Sequence, residues 1–307
     1  MKPIEILEDF FFIERGYLNA NHFVYRSDKP VLIDTAYITD FAETRACIES
    51  LGVKLSDIDS IINTHSHSDH IGGNKFIQDE SGCGIVIHRI GKYFIDTHDD
   101  WATWWRYYGH QAEFFNVTQA LEDGDTIVIG PHEFRVIYTP GHASDGIVLY
   151  NQNEKILISS DTLWENDMPG MTLRVEGSTA LFRFEESLEK IKALDVRMIY
   201  PGHGRPFKTA HEAIARSQKK IQNYLTNREL IGLDLLKRIT IYTLLMHKGF
   251  TRDLFFDHLM QTHWFKETIE LYFDGNYRGM YDEVMGGFLN RGIVKTENNL
   301  LVTTVKP

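Results

Sequence analysis

Apolar and polar residues alternate along the first part of the chain in the short blocks that strands require. Runs at 4–13, 23–25 and 31–33 are separated by the turn-rich stretches 16–21 and 27–30, which predicts an antiparallel meander. Apolar positions at helical spacing over 41–51 end at Gly52 and predict a helix. The run 58–62 then reads as a buried strand that delivers the chain to Asn63 and Thr64. A helix over about 71–79, a strand at 85–88 and an aromatic-rich segment from 93 to 115 follow. Strands at 126–129, 134–138, 147–150 and 156–159 form a second meander, with turns at 122–124 and 151–153. A helix over 181–194 precedes a last apolar strand at 198–200. From about residue 210 the period lengthens, predicting helices at 210–226, 232–248, 251–261 and 264–289, then a hairpin turning at Glu297-Asn298-Asn299.

Two β-rich halves with helices outside them predict an α+β chain in which two sheets stack face to face. Three helices closed by a hairpin make the tail a small helical, winged-helix-like unit. The expected domains are 1–207 and 208–307, a division that a chain of 307 residues can support.

Composition narrows the function class. With 43% hydrophobic and 24% charged residues the chain is an ordinary globular one. No apolar run reaches the roughly 20 residues of a membrane span. The first fifteen residues are acidic, unlike a secretion signal, and the expected compartment is the cytoplasm. Cys47 and Cys83 are expected as small buried hydrophobes in a reducing setting. The net charge of −11 argues against wholesale nucleic-acid binding, and it is uneven. Residues 208–307 hold 14 Lys+Arg against 11 Asp+Glu, a balance of +3; the front 207 hold 18 against 32, or −14.

The chemistry concentrates after the strand at 58–62, where Thr64-His65-Ser66-His67-Ser68-Asp69-His70 places four metal-ligand side chains within six residues. On a loop leaving a strand, such side chains can converge from different angles on two neighbouring ions. Imidazole suits zinc, iron or nickel, and carboxylate adds a hard oxygen. Single histidines recur at strand ends beside glycine, in Pro140-Gly141-His142 and Pro201-Gly202-His203-Gly204, and Ser159-Ser160-Asp161-Thr162 ends another strand in an acid. Alone, His142 or His203 reads as a turn residue and Asp161 as a helix cap. Together the five histidines and two aspartates predict a two-metal site with room for water.

This order of motifs resembles the metallo-β-lactamase superfamily, whose His-x-His-x-Asp-His signature is matched in full, over about residues 3–207. The resemblance implies a four-layer αβ/βα sandwich. It implies that His65, His67 and His142 hold one divalent metal, that Asp69, His70 and His203 hold a second, and that Asp161 bridges them. Asp34, after the strand at 31–33, falls where the family has a supporting residue that orients a ligand by hydrogen bonds; the alternative is a turn-forming Asp. Two such metals, zinc before iron or manganese, lower the pKa of a shared water and polarise the bond under attack. Asp69 is the expected catalytic residue. A rival within the family is a mononuclear iron persulfide dioxygenase, which needs fewer than seven ligands.

Substrate is less legible. Trp101, Trp104, Trp105, Tyr107 and Tyr108 fall where the family inserts loops over its site, so they are expected either as a lid or as packing, including packing between two protomers of a homodimer. His98 and His110 are expected at the surface. Gly72-Gly73-Asn74 and Thr162-Leu163-Trp164 are similar to the hydroxyacylglutathione thioesterase branch, although no matching basic group for glutathione stands out in the tail. A winged-helix-like tail looks instead like members that cleave single-stranded RNA, but +3 over a hundred residues is feeble for phosphate. The leading expectation is a dinuclear hydrolase of a small ester, thioester or lactone. The alternatives are a nuclease or phosphodiesterase and a non-enzymatic DNA-binding regulator, against which the intact ligand set counts. A β-lactam substrate is not expected, nor a membrane partner.

Overall fold

The computed structural model describes residues 2–307. Its first half runs β1 (Ile4–Leu7), β2 (Phe10–Ile13), β3 (His22–Tyr25), β4 (Val31–Ile33), α1 (Phe41–Glu49), β5 (Ser60–Ile62), α2 (Ser68–Ile71), α3 (Asn74–Ser81), β6 (Gly84–His88), α4 (Arg89–Asp96), α5 (Trp105–Tyr108) and β7 (Gln119–Leu121). These seven strands form one sheet in chain order. β1 to β4 pair antiparallel, while β4 to β7 pair parallel through the helical crossovers. The second sheet holds β8 (Thr126–Ile129), β9 (His132–Tyr138), β10 (Ile147–Asn151) and β11 (Ile156–Ser160); after α6 (Leu173–Glu176) and α7 (Ala180–Lys192) it gains β12 (Met198–Pro201) at its edge, parallel to β11.

Side-chain alternation explains the layers. Within β4 and β5, Ile33 and Ile62 face the second sheet while Leu32 and Ile61 face α1 and α3, because successive residues of a strand point to opposite sides. Phe10, Phe12 and Phe23 from the first sheet meet Phe134, Leu149, Ile158 and Tyr200 from the second to make the sandwich interior. Val148, Leu157 and Ile199 point the other way, onto α7.

The chain continues as α8 (Ala210–Thr226), α9 (Glu229–Met246), α10 (Arg252–Leu259), α11 (His263–Tyr272), α12 (Tyr277–Asn290) and the hairpin β13 (Val294–Glu297) with β14 (Leu300–Thr303). The apolar cluster behind the second sheet runs without a break into these helices: Phe184 and Ile191 of α7 share it with Ile214 and Ile221 of α8 and with Trp264 and Phe265 of α11. Among the described residues no helix is long and apolar enough to cross a membrane. Cys47 and Cys83 are buried and unpaired with each other.

Several boundaries differ from the sequence reading. The run at 4–13 is two strands, because Asp9 turns with a positive φ of 54° between β1 and β2. The helix expected over 71–79 starts earlier, at Ser68 inside the histidine motif, and breaks at Gly72-Gly73 before α3. A Cβ on Gly72 would lie 2.2 Å from the backbone nitrogen of Ile38, so the break is a close crossing of chain segments. The single helix expected over 264–289 is α11 and α12, split where Asp274 and Gly275 take φ of 50° and 75°. The sequence reading did not resolve the short helix α4, although Ile90 and Phe94 keep helical spacing within it, or the three-residue edge strand β7.

Candidate metal centre

The site lies at the ends of strands. Asp34 follows β4, the histidine motif follows β5, Asp161 follows β11 and His203 follows β12, so four C-terminal strand ends open onto one place. Asp34 takes a left-handed φ of 57°, which Asp tolerates better than most residues. That turn aims its carboxylate back across the parallel pair. It accepts from the backbone N–H of Thr64 (2.9 Å) and the Thr64 hydroxyl (2.7 Å), and it lies 2.8 Å from His70 Nδ1. Thr64 Oγ1 is also 2.7 Å from Ser160 Oγ, which ties the end of β5 to the end of β11.

Two clusters of ligand atoms result, His65–His67–His142 and Asp69–His70–Asp161–His203, each with its atoms within 4.8 Å of one another. All seven residues are 9% exposed or less. Asp161 Oδ2 sits between the clusters, 3.5 Å from His142 Nε2, 3.5 Å from His70 Nε2 and 3.7 Å from His203 Nε2. His203 Nε2 is 3.2 Å from Asp69 Oδ2, and His67 Nδ1 is 3.0 Å from His142 Nε2.

Backbone carbonyls orient two of the rings. His142 donates its Nδ1–H to the Gly170 carbonyl (2.8 Å) and His203 donates its own to the Gly16 carbonyl (3.0 Å), so both Nε2 lone pairs turn inward. His65 Nε2 and His70 Nε2 are buried with no hydrogen-bond partner in the protein. Buried polar atoms are rarely left so, and two orphaned imidazole nitrogens beside a shared carboxylate fit a pair of cations. Gly202 belongs to the same cradle. A Cβ there would fall 2.0 Å from Asp161 Oδ1, so only glycine lets β12 end this close.

Charge is divided across the centre. Burial and the neighbouring histidines hold His65 and His67 well below the usual imidazole range, leaving them neutral donors as ligation requires. His142 is lowered chiefly by burial. Burial also opposes a charge on His70 and His203, but Asp161 and Asp69, joined by Asp34 for His70, outweigh it and raise both, His70 strongly. Conversely, Asp161 and Asp69 overcome burial through these histidines and stay below the usual carboxylate range.

A cavity of about 520 Å³ opens over the clusters. His67, Asp69, His142, Asp161 and His203 form its floor, with Tyr17, Trp104 and Trp164 as walls; Leu235, Ile239 and Tyr242 of α9 complete it from the C-terminal region. Tyr242 Oη points at Asp69 Oδ2, 3.4 Å away. Trp164 donates its Nε1–H to Asp161 Oδ1 (3.2 Å). Arg205 and Lys306 also line the cavity, the latter from the end of the tail, where no basic group stood out in the sequence.

The aromatic segment divides. Trp104 stacks on His67 at 3.8 Å between ring centres. Trp105 turns away to Phe114 and the first-sheet cluster, Tyr107 and Tyr108 pack in the second-sheet cluster toward Trp264, and Trp101 lies against Tyr107 and His263. His98 is exposed and stacks on Phe114. His110 corrects the surface reading: it is buried at 8% exposure, lines the cavity, lies 2.8 Å from Ser68 Oγ and stacks on Tyr242 at 5.7 Å. Burial lowers its pKa to about 4. Sequence reasoning missed Tyr242 and Glu176. Glu176 is a buried carboxyl on α6 whose pKa burial raises to about 8. Neither stands in a motif, and nothing local marks it.

The family model described as Metallo-beta-lactamase superfamily matches residues 16–203. Among curated proteins the chain is similar to "Probable metallo-hydrolase YqjP" of Bacillus subtilis, 25% identical over 239 residues, covering 66% of this chain and 72% of that one. It is also similar to a hydroxyacylglutathione hydrolase of Rhodospirillum rubrum, 30% identical over 159 residues, covering 52% of each; this chain therefore spans about half of that relative. Among solved structures, a metallo-beta-lactamase family protein of Thermus thermophilus superposes with a TM-score of 0.61 at 19% identity, over 97% of this chain and 100% of that one.

Proposed function

This chain belongs to the metallo-β-lactamase superfamily of metal-dependent hydrolases, and on that premise we propose that it hydrolyses a small ester, thioester or lactone with two zinc ions. The observation that carries the substrate class is the cavity. About 520 Å³ walled by Tyr17, Trp104, Trp164, Leu235, Ile239 and Tyr242 is the size and lining of a small-molecule pocket. Charges of both signs line it, Glu165 and Asp167 with Arg15, Arg205, Arg238 and Lys306, so the apolar walls and not the charge support the acyl reading.

His65, His67 and His142 would hold one ion, Asp69, His70 and His203 the other, with Asp161 shared. Such a pair supplies an activated water near neutral pH and polarises the bond under attack. The chain's own groups do the rest. The Asp69 carboxylate, kept ionised by His70 and His203, is placed to accept a hydrogen bond from the attacking water and so orient it. The aromatic walls exclude bulk water and orient the apolar part of the substrate. Helix α9 lines the same cavity with Leu235, Ile239 and Tyr242, so the C-terminal helices act here as part of the pocket. The winged-helix-like reading of 208–307 is kept, and in this proposal the unit is a packing module that also lends α9 to the cavity wall.

The test is elemental analysis of protein purified without added metal, paired with assays on a thioester, a lactone, a phosphodiester and single-stranded RNA. Two equivalents of zinc with chelator-sensitive cleavage of an acyl substrate are expected. Cleavage confined to RNA or the phosphodiester would overturn the substrate class, and one equivalent of iron without hydrolysis would overturn the dinuclear reading.

A further inference from the structure

Beside His67, and touching His142 through Trp104 with ring centres 5.1 Å apart, lies a group of buried residues that the hydrolytic reading leaves unused. His67 turns Nδ1 toward His142, so its Nε2 points outward from the centre, buried and without a hydrogen-bond partner. The nearest acceptor is Glu176 Oε1 at 3.5 Å. The same oxygen accepts from Trp104 Nε1–H (3.0 Å), and Oε2 accepts from the Ser144 hydroxyl (2.6 Å). Trp104 also lies over the His67 ring at 3.8 Å with a tilt of 29°. It holds a left-handed φ of 68°, a conformation that an aromatic residue rarely adopts and that persists only where the surroundings fix it.

We propose that Glu176 and Trp104 form a clamp that positions His67 as a ligand. Glu176 accepts the Nε2–H, which keeps the lone pair on Nδ1 facing the metal, and Trp104 restrains the ring from above. A ligating imidazole commonly needs such a partner on its second nitrogen. The clamp gives the aromatic segment a role other than a lid: one tryptophan of that segment sets the geometry of a metal site while its neighbours anchor it in the core. It pairs with Asp34, which serves His70 in the same way from the opposite side.

This inference rests on His67 being a ligand, so its test reads metal affinity directly. Full-length protein stripped by chelation would be titrated with Co2+, following the visible absorption bands and competition with a chromophoric chelator. His203→Ala would identify which binding event belongs to the other cluster. A cation held on His67 draws the Glu176 carboxyl to its charged form; Glu176→Gln keeps the volume but cannot take that charge, and should weaken the His65–His67–His142 event about tenfold while leaving the other within about twofold. Glu176→Ala should weaken it further, toward about 100-fold, and Trp104→Phe, which keeps a ring over His67, should cost only a few-fold. Circular dichroism confirms folding; if the alanine variant does not fold, Glu176→Gln decides. Unchanged affinity and Co2+ bands in folded Glu176→Gln overturn the clamp, as does equal weakening of both events. A wild type that binds no Co2+ overturns the ligand assignment itself, which is a different outcome.

Discussion

Replacing Asp34 tests how much of the centre is held by one carboxylate outside it. Asp34 accepts the backbone N–H and hydroxyl of Thr64 and lies 2.8 Å from His70 Nδ1, all in a site closed to water. Asp34→Ala leaves the Thr64 N–H and His70 Nδ1 without an acceptor at about 1–3 kcal/mol each, while the Thr64 hydroxyl can still turn to Ser160 Oγ, so about 2–5 kcal/mol is expected. Against a total stability of about 5–15 kcal/mol this is a large fraction. Part of any change could come from the backbone, because alanine at a φ of 57° is itself strained by about 1–2 kcal/mol. Asp34→Gly separates the terms: it relieves the turn but not the lost acceptors, so it should remain destabilised by most of the same amount. Asp34→Asn keeps an acceptor for Thr64 and tolerates the turn, and should lose about half as much. Urea denaturation of metal-stripped protein gives these values. Metal titration should show the Asp69–His70–Asp161–His203 site weakened about 10- to 100-fold in Asp34→Ala. Stability within about 0.5 kcal/mol of wild type, the ordinary range for a surface change, together with unchanged metal content, would refute the argument.

Other outcomes follow from the same geometry. Asp69→Ala should abolish hydrolysis while circular dichroism stays native; retained turnover would remove Asp69 from the mechanism. Tyr242→Phe removes a donor 3.4 Å from Asp69 and should lower kcat/KM roughly five- to tenfold without changing metal content, whereas a loss of metal would reassign Tyr242 to the ligand scaffold. Glu176 has a folded pKa raised by burial from the usual 4.5 to about 8, so its contribution is fully present below about pH 4.5 and is lost as pH rises through 8. In metal-stripped protein, Glu176→Gln should therefore gain stability relative to wild type between these values, on the order of 4 kcal/mol; a difference independent of pH would show that the carboxyl is ionised throughout. Zinc at about 100 times its dissociation constant should add about 2.7 kcal/mol over the stripped protein, visible as a higher melting temperature. Coincident melts with and without zinc would argue that the clusters bind no ion.

How much of this was legible in the sequence depended on whether the signal was local. The seven candidate ligands stand out because each follows an apolar strand, four in one dense motif, two beside a glycine and Asp161 as the acid that ends its strand, and strand ends are easily read. Asp34 was readable for the same reason. What failed were features set by contacts distant in sequence. His110 was assigned to the surface because its neighbours Gly109 and Gln111 are those of a loop, yet Ser68 and Tyr242, 42 and 132 positions away, enclose it. Splits at Asp9, Gly72 and Asp274 were missed because a single positive φ or close crossing breaks an element without disturbing its apolar period.

The C-terminal helices carry the same lesson one level higher. Read alone, 208–307 is a helical unit with a hairpin and a slight positive charge, and nothing in it announces a site. Folded, it contributes Leu235, Ile239 and Tyr242 to the cavity and, through Trp264, backs the Tyr108 that neighbours Trp104. The candidate ligands, four in one motif and three at later strand ends, are legible because each sits at a rigid strand end from which side chains can converge within a few Å. Substrate selection is encoded by residues far apart, since a pocket wall needs only apolar area from whatever element reaches it. On the proposed reading the strand-end residues carry the reaction class, while α9 and Trp104, which wall the cavity, select the substrate. Exchanging the α9 residues Leu235, Ile239 and Tyr242 for smaller side chains should accordingly widen the range of acyl substrates at constant metal stoichiometry. A substrate range that stays fixed would place selection elsewhere, in Trp164 and the residues that follow Asp161.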